Sequence, residues 1–209
     1  MIISLTGFMG CGKSSVGRRL SELLCCPFMD LDDIIEERAG RRIPEIFASE
    51  GEAEFRRIEA EALEAVTGQQ PKCSGGPLPL RGPLPLAGGG KMPPPHNGQT
   101  VSSHENSEGK TRGVLALGGG AVMTPSCAEL VCEKTVCIYL RASVETLLDH
   151  LSGEADGRPM LEGGSLRSRI EELMTLRSST YEKTAHIIID TDGKSIDSIC
   201  QEIISTVAQ

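Results

Sequence analysis

Nine residues near the start, "GFMGCGKSS" from Gly7 to Ser15, restrict the fold more than any other part of the 209-residue chain. They follow the apolar run "MIISLT", which reads as a strand, and lead into a helical pattern over Lys13 to Cys25. Gly7, Gly12, Lys13 and Ser14 fit the pattern G-x-x-x-x-G-K-[ST] in the strand, loop, helix context that gives it meaning. Glycines in such a loop let backbone N–H groups turn inward around phosphate oxygens, where side chains would block the approach. The start of the following helix adds its positive end. Gly10, Cys11, Gly12, Lys13, Ser14 and Ser15 therefore read as a cradle for a nucleoside triphosphate. Lys13 supplies a point charge to the β/γ-phosphates, and the Ser14 hydroxyl is placed to ligate Mg²⁺.

The same alternation continues along the chain. "PFMDL", "GVLALGGG", "TVCIYLR" and "AHIIID" read as further strands. Helical patterns lie between them: Asp32 to Glu50 with breaks at Gly40 and Pro44, Glu52 to Val66, and one from Thr124-Pro125. Others cover Val144–Leu151, Leu166 to Lys183 and Ser195 to Val207. Apolar strands alternating with helices predict an α/β fold, a three-layer, doubly wound parallel sheet of about five strands. Its ligands would sit at the carboxyl ends of the strands. One domain is expected over 1–209, interrupted at 68–112. That segment holds eight of the chain's twelve prolines and the tandem "GPLPLR", "GPLPLA". It has neither helical nor strand period and cannot bury enough apolar surface to offset chain entropy, so a disordered insertion is expected. A polyproline ligand for a partner domain is the other reading of it.

Composition excludes several classes. A net charge of −8 opposes nucleic-acid binding, which needs a basic face, and six aromatic residues offer little for base stacking. No apolar run approaches a membrane span, and no signal or transit pattern follows Met1, so a cytoplasmic chain is expected. The eight cysteines contain no C-x-x-C pair and read as reduced, small apolar filler. Cys11 is the exception in position, within the phosphate loop.

Asp30 and Asp32 close the second strand two residues apart, which predicts carboxylates on one side beside the loop. They could hold hydrated Mg²⁺ and serve as the base for an acceptor hydroxyl, or merely cap the next helix. Glu52, Arg56 and Glu59 fall at i, i+4 and i+7 on one helical face. That makes either a surface pair or a guanidinium held ready to fork onto a carboxylate or diol. Gly118, Gly119 and Gly120 end the third strand with bare backbone that a ligand can approach. "GEADGRPML" carries Arg158 in a loop over 152–162 suited to be a lid, and "LRSSTY" places Arg177 one turn before Tyr181.

Taken together, "GFMGCGKSS", "FMDLD", "IFASEGEAEFRRIE", "LALGGGAV", "GRPML" and "RSSTY" resemble, in order, the motifs of the shikimate kinase family. That family has the nucleoside-monophosphate-kinase-like version of the P-loop fold. The resemblance covers nearly everything except Gly68–Arg112. It implies transfer of the ATP γ-phosphate to the 3-hydroxyl of shikimate, in the pathway to chorismate and the aromatic amino acids, with Mg²⁺. By position, Lys13 and Ser14 serve phosphate and metal, with Asp30 near the metal. Asp32 resembles the carboxylate that grips the shikimate hydroxyls and assists deprotonation. Arg56 and Arg177 resemble the clamp on the substrate carboxylate, with Glu59 orienting Arg56. Gly118 to Gly120 resemble the backbone patch against the ring, and Phe47 and Phe55 the apolar wall. Arg158 is implied to be the lid arginine, and Asp192, Gly193 and Lys194 to border the adenine. A monomer is expected, with no nucleic acid or membrane partner.

Two features depart from the family pattern. His150 stands where an adenine-stacking arginine is common, and the insertion falls between the substrate helix and the glycine-rich strand. The rival readings are a related kinase for gluconate or a nucleoside monophosphate, and a non-catalytic ATP-binding interaction protein.

Overall fold

Five short strands are apolar on both sides, which suits strands that must be covered on both faces by helices. They are β1 (Ile2–Thr6), β2 (Phe28–Asp30), β3 (Gly113–Ala116), β4 (Val136–Arg141) and β5 (Ile187–Asp190). The computed structural model describes residues 1–68, 111–152 and 165–208. Its strands are all parallel, in the order β2-β3-β1-β4-β5. The doubly wound α/β fold expected from the sequence is what forms.

Helices α1 (Lys13–Leu23), α2 (Leu31–Ala39), α3 (Ile43–Gly68), α4 (Pro125–Lys134), α5 (Val144–Leu151), α6 (Leu166–Thr184) and α7 (Ile196–Val207) flank the sheet. Strand alternation divides the core in two. Ile3 and Leu5 of β1, Val114 of β3, and Ile138 and Leu140 of β4 pack with α1, α5 and α7. Ile2, Leu115, Cys137 and Tyr139 point the other way, against α2, α3 and α4. Helix α6 serves both layers: Ile170 and Leu173 join the first cluster, and Tyr181 joins the second. Its long axis thus carries Arg177 from one layer towards the other.

Several expectations change in detail. The predicted break between Glu50 and Glu52 is real: α3 leaves helical geometry at Gly51. Asp30 and Asp32 do not share a face by strand alternation, because β2 ends at Asp30 and α2 begins at Leu31. Asp30 is the N-cap of α2, its carboxylate accepting from the Asp32 N–H at 3.2 Å. Cap geometry, not pleat, brings the two together. The ends of the 68–112 segment are structural: Gly68 closes α3, and the Arg112 N–H donates to Met1 O at 2.6 Å. Residues 69–110 of that segment, and all of the 152–162 lid except Ser152, lie outside the described residues.

The seam between β1 and β4 fixes where the phosphate loop begins. Gly7 leaves β1 at φ 143°, and a Cβ there would lie 2.6 Å from the Leu140 carbonyl oxygen and 2.9 Å from Cys11 Sγ. Backbone in a central strand cannot move aside as a flexible side chain can. Gly7→Ala is expected to cost about 2–4 kcal/mol from strain and overpacking, read as a lowered urea midpoint. An unchanged midpoint would show that the seam has room the structure does not display.

Candidate active site

The phosphate loop closes on itself before it meets anything else. Gly12 adopts φ 91° as the N-cap of α1, a left-handed conformation that glycine enters at little cost. No side chain caps that helix, and its first turn holds no acidic residue. Its free N–H groups and positive end are therefore available to an anion. The Lys13 ammonium donates to Gly7 O (3.0 Å) and Phe8 O (2.9 Å), which holds it over the loop. Cys11 is 3% exposed and packs into the first apolar cluster, as the filler reading of the cysteines expects. All cysteines among the described residues are free thiols.

Beside the loop lies a cavity of about 730 Å³. Gly10, Cys11, Gly12, Lys13, Ser14 and Ser15 form one wall, with Gly193 and Lys194 across from them. Asp192 has a different place: its carboxylate accepts from the Ser143 N–H at 2.9 Å, at the start of α5. That bond, then the contact with the Thr146 side chain, holds its pKa below the usual carboxylate value. Asp192 thereby ties the loop after β5 to α5.

The sequence reading did not single out Thr146 and Asp149, and took His150 only as a departure; all three line the cavity. They fall at i, i+3 and i+4, so one face of α5 forms this wall, and that spacing was available as a signal. His150 Nδ1 lies 2.7 Å from Gly10 O. A carbonyl only accepts, so the imidazole hydrogen sits on Nδ1 and the ring is tethered to the phosphate loop.

At the carboxyl ends of β1 and β2 the Ser14 hydroxyl donates to Asp30 Oδ2 at 2.8 Å. Asp30 thus uses one oxygen on Ser14 and the other on the α2 cap. Capping is done by Asp30, which leaves the Asp32 carboxyl for chemistry. Asp32 is exposed as a residue, with protein packed about its carboxyl group. Burial pushes its pKa up, the neighbouring Asp30 adds to this, and Lys13 works against it.

Three consecutive glycines follow β3, and none of them has a positive φ. At Gly118 and Gly120 a side chain would displace a charged group, while Gly119 has ordinary room. A Cβ on Gly118 would lie 2.8 Å from Asp32 Oδ1. One on Gly119 would meet Met9 N at 3.4 Å, and one on Gly120 would sit 2.8 Å from an Arg56 guanidinium nitrogen. The strip therefore brings Asp32, the phosphate loop and Arg56 to one line of backbone.

Arg56 is fixed there by Glu59 at 2.7 Å and Glu52 at 3.3 Å. The Glu59 side chain is 1% exposed; burial pushes its pKa up and Arg56 opposes this. Burial also disfavours the charge on Arg56, but the two carboxylates outweigh it and raise its pKa. The Arg56 guanidinium lies 5.2 Å from the centroid of the Phe55 ring, and Phe55 packs on the half-open Phe47 at 4.6 Å. From α6, Arg177 is buried beside Tyr181, whose hydroxyl donates to Gly119 O. Asp32, Glu59 and Arg56 border the glycine strip directly, Arg177 neighbours it through Tyr181, and Phe55 and Phe47 extend outward from Arg56. Arg158 lies outside the described residues.

Comparison with known proteins agrees with this arrangement. The Shikimate kinase family model matches residues 9–76 and 101–208, and the unmatched stretch falls within the Pro/Gly-rich segment. A shikimate kinase of Rhodococcus jostii is 34% identical over 205 residues, covering 98% of this chain and 96% of that protein. One from Thioalkalivibrio sulfidiphilus is 35% identical over 201 residues, covering 96% and 84%. The solved shikimate kinase from Acinetobacter baumannii in complex with shikimate superposes with a TM-score of 0.75 at 28% identity, over 99% of this chain and 92% of that one. With the phosphate loop, glycine strip and arginines already in place, the chain belongs to the shikimate kinase family.

Proposed function

We propose that the chain transfers the γ-phosphoryl group of ATP to the 3-hydroxyl of shikimate, giving shikimate 3-phosphate and ADP. The observation that carries this reading is the glycine strip, with a carboxylate at one end, a fixed guanidinium at the other and the phosphate loop alongside. A small cyclic acid needs those groups at that spacing: hydroxyls to Asp32, carboxylate to arginine. The gluconate, nucleoside-monophosphate and non-catalytic readings give way to the family membership.

Phosphoryl transfer passes through a loose transition state, so positioning and charge neutralisation supply most of the acceleration. Gly10 to Ser15, the α1 N-terminus and Lys13 would hold the triphosphate. Ser14 and Asp30 present hard oxygens side by side and suit a divalent cation, Mg²⁺ in this reading. No cluster of three or more His, Cys, Asp or Glu side chains forms a full cage among the described residues. That fits an ion which takes its other ligands from phosphates and water and which, when bound, neutralises phosphate charge. Arg56 and Arg177 would grip the acceptor carboxylate, with Phe47 and Phe55 along the ring. Asp32 would take the hydroxyl proton, its raised pKa bringing it closer to that of an effective base. Arg158 is assigned to the transferring phosphoryl, and Gly193 and Lys194 to the adenine side. We place the reaction in the cytoplasm, in a monomer, where ATP is at hand.

A coupled assay of ADP release, run with and without shikimate, tests the reading. ADP should appear with shikimate and stay near background without it. Arg56→Ala should raise the KM for shikimate about 10–100-fold, the loss expected for a charge-assisted hydrogen bond, with the KM for ATP little changed. Asp32→Ala should lower kcat about 10²–10⁴-fold with ATP binding retained. A near-normal kcat for that variant would remove Asp32 as the base.

The pH profile follows from the same carboxyl. A base works only when ionised, and Asp32 is protonated below its pKa. With that pKa raised, kcat/KM should fall as pH drops through a value above the ~3.9 of an ordinary aspartate. Rates taken after brief pH jumps, before acid unfolding, read the limb directly. A limb at or below the ordinary value would count against this assignment.

A further inference from the structure

One polar group at the acceptor end has no role in the mechanism so far, the hydroxyl of Tyr181. Its ring has an obvious structural job: it is fully buried and packs against Tyr139 with centroids 5.2 Å apart. Phenylalanine would fill that volume equally well. The hydroxyl does something more specific. It donates to the Gly119 carbonyl, and Arg177 stands one turn earlier on the same face of α6, its guanidinium near enough to oppose the rise in the phenol's pKa that burial causes.

The direction of this chain is fixed by chemistry. A phenol carries one hydrogen, a guanidinium only donates and a carbonyl only accepts. With its one hydrogen given to Gly119, the phenol oxygen can only accept from the Arg177 guanidinium. Gly119 lies in the middle of the glycine strip, with Met9 N of the phosphate loop 3.4 Å from where its Cβ would be. The hydroxyl is placed to hold one end of Arg177 against the backbone of the glycine strip. Arginine has a long, rotamer-rich side chain, and a guanidinium held at one nitrogen presents the others in one orientation.

We propose that Tyr181 is a positioning residue: its hydroxyl, anchored on Gly119, orients Arg177 for the acceptor's carboxylate and so sets the preference for a charged over an esterified acceptor. This rests on the functional reading above, in which the acceptor carboxylate meets Arg177. Tyr139 shares the packing, but it is the Tyr181 hydroxyl that meets Gly119, which marks that hydroxyl, rather than the aromatic pair, as the working element.

Tyr181→Phe keeps the ring and removes the hydroxyl. Kinetics with shikimate and with methyl shikimate, at saturating ATP, separate positioning from folding. The variant should lose about 10–100-fold in kcat/KM for shikimate, through KM. The methyl ester, lacking the charge, should lose no more than about 2-fold, and the KM for ATP should hold. In an Arg177→Ala background the added Tyr181→Phe should leave the shikimate-to-ester ratio unmoved. An equal loss on both acceptors, or an undiminished loss in the Arg177→Ala background, overturns the proposal. An unsubstituted chain inactive on shikimate would overturn the functional reading and this assignment together. An active chain whose Tyr181→Phe form keeps full selectivity overturns the assignment alone.

Should Tyr181→Phe fail to fold, the chain's two tyrosines allow a second measurement on the unsubstituted protein. Labelling with 3-fluorotyrosine gives two ¹⁹F signals, assigned by Tyr139→Phe. The Tyr181 signal should move on adding shikimate and stay on adding methyl shikimate, and Arg177→Ala should abolish the movement. A Tyr181 signal indifferent to shikimate contradicts the proposal.

Discussion

The space beside three successive glycines governs this molecule. A methyl group at Gly118 would strike Asp32 and one at Gly120 would strike Arg56, while one at Gly119 would rest in ordinary contact with the phosphate loop. Those three contacts come from α2, from the loop after β1 and from α3, elements far apart in sequence. A fourth, Tyr181 from α6, closes on the Gly119 carbonyl. Along this bare backbone, groups from four segments converge: the charged side chains of Asp32 and Arg56, the phosphate loop at Met9 and the Tyr181 hydroxyl. The same bareness would be wasted on a turn, since none of the three takes up a conformation that requires glycine.

The sheet makes that convergence possible. With β1 central and β3 and β4 on either side, the chain leaves β1 towards α1 and returns along β2 on the far side of β3. The crevice where the order reverses is where ligands of such sheets bind. The cavity beside the phosphate loop lies on the side of α1, α5 and α7, and the glycine strip lies over the layer of α2, α3 and α4. Helix α6 alone contributes to both clusters, and Arg177 lies between its two contributions. Donor and acceptor ends are therefore joined by packing as well as by the phosphate loop.

Much of this was legible beforehand, for physical reasons. A nine-residue loop with fixed glycines between a strand and a helix admits few alternatives, and apolar runs alternating with helical periods admit one sheet type. Arg56 was legible because carboxylates at i−4 and i+3 bracket it on one face. Other parts were not. The pairing of Asp30 with Asp32 followed from a helix cap that begins one residue earlier than strand alternation supposed. Tyr181 carried no signal of its own, because a tyrosine at a core position reads as volume until its hydroxyl is seen on Gly119. Asp192 read as a nucleotide contact, yet its carboxylate binds the start of α5. Such roles depend on which distant backbone group lies opposite, and spacing along one segment does not encode that.

The central claim is that absence of a side chain on the strip places the acceptor machinery. Calorimetric titration of Gly120→Ala tests it most directly, because the new methyl would lie 2.8 Å from the Arg56 guanidinium, a flexible group that can yield without unfolding the protein. The account predicts a shikimate dissociation constant raised about 10–100-fold, with ATP affinity and the thermal midpoint nearly unchanged. Shikimate binding as tight as in the unsubstituted chain would contradict it.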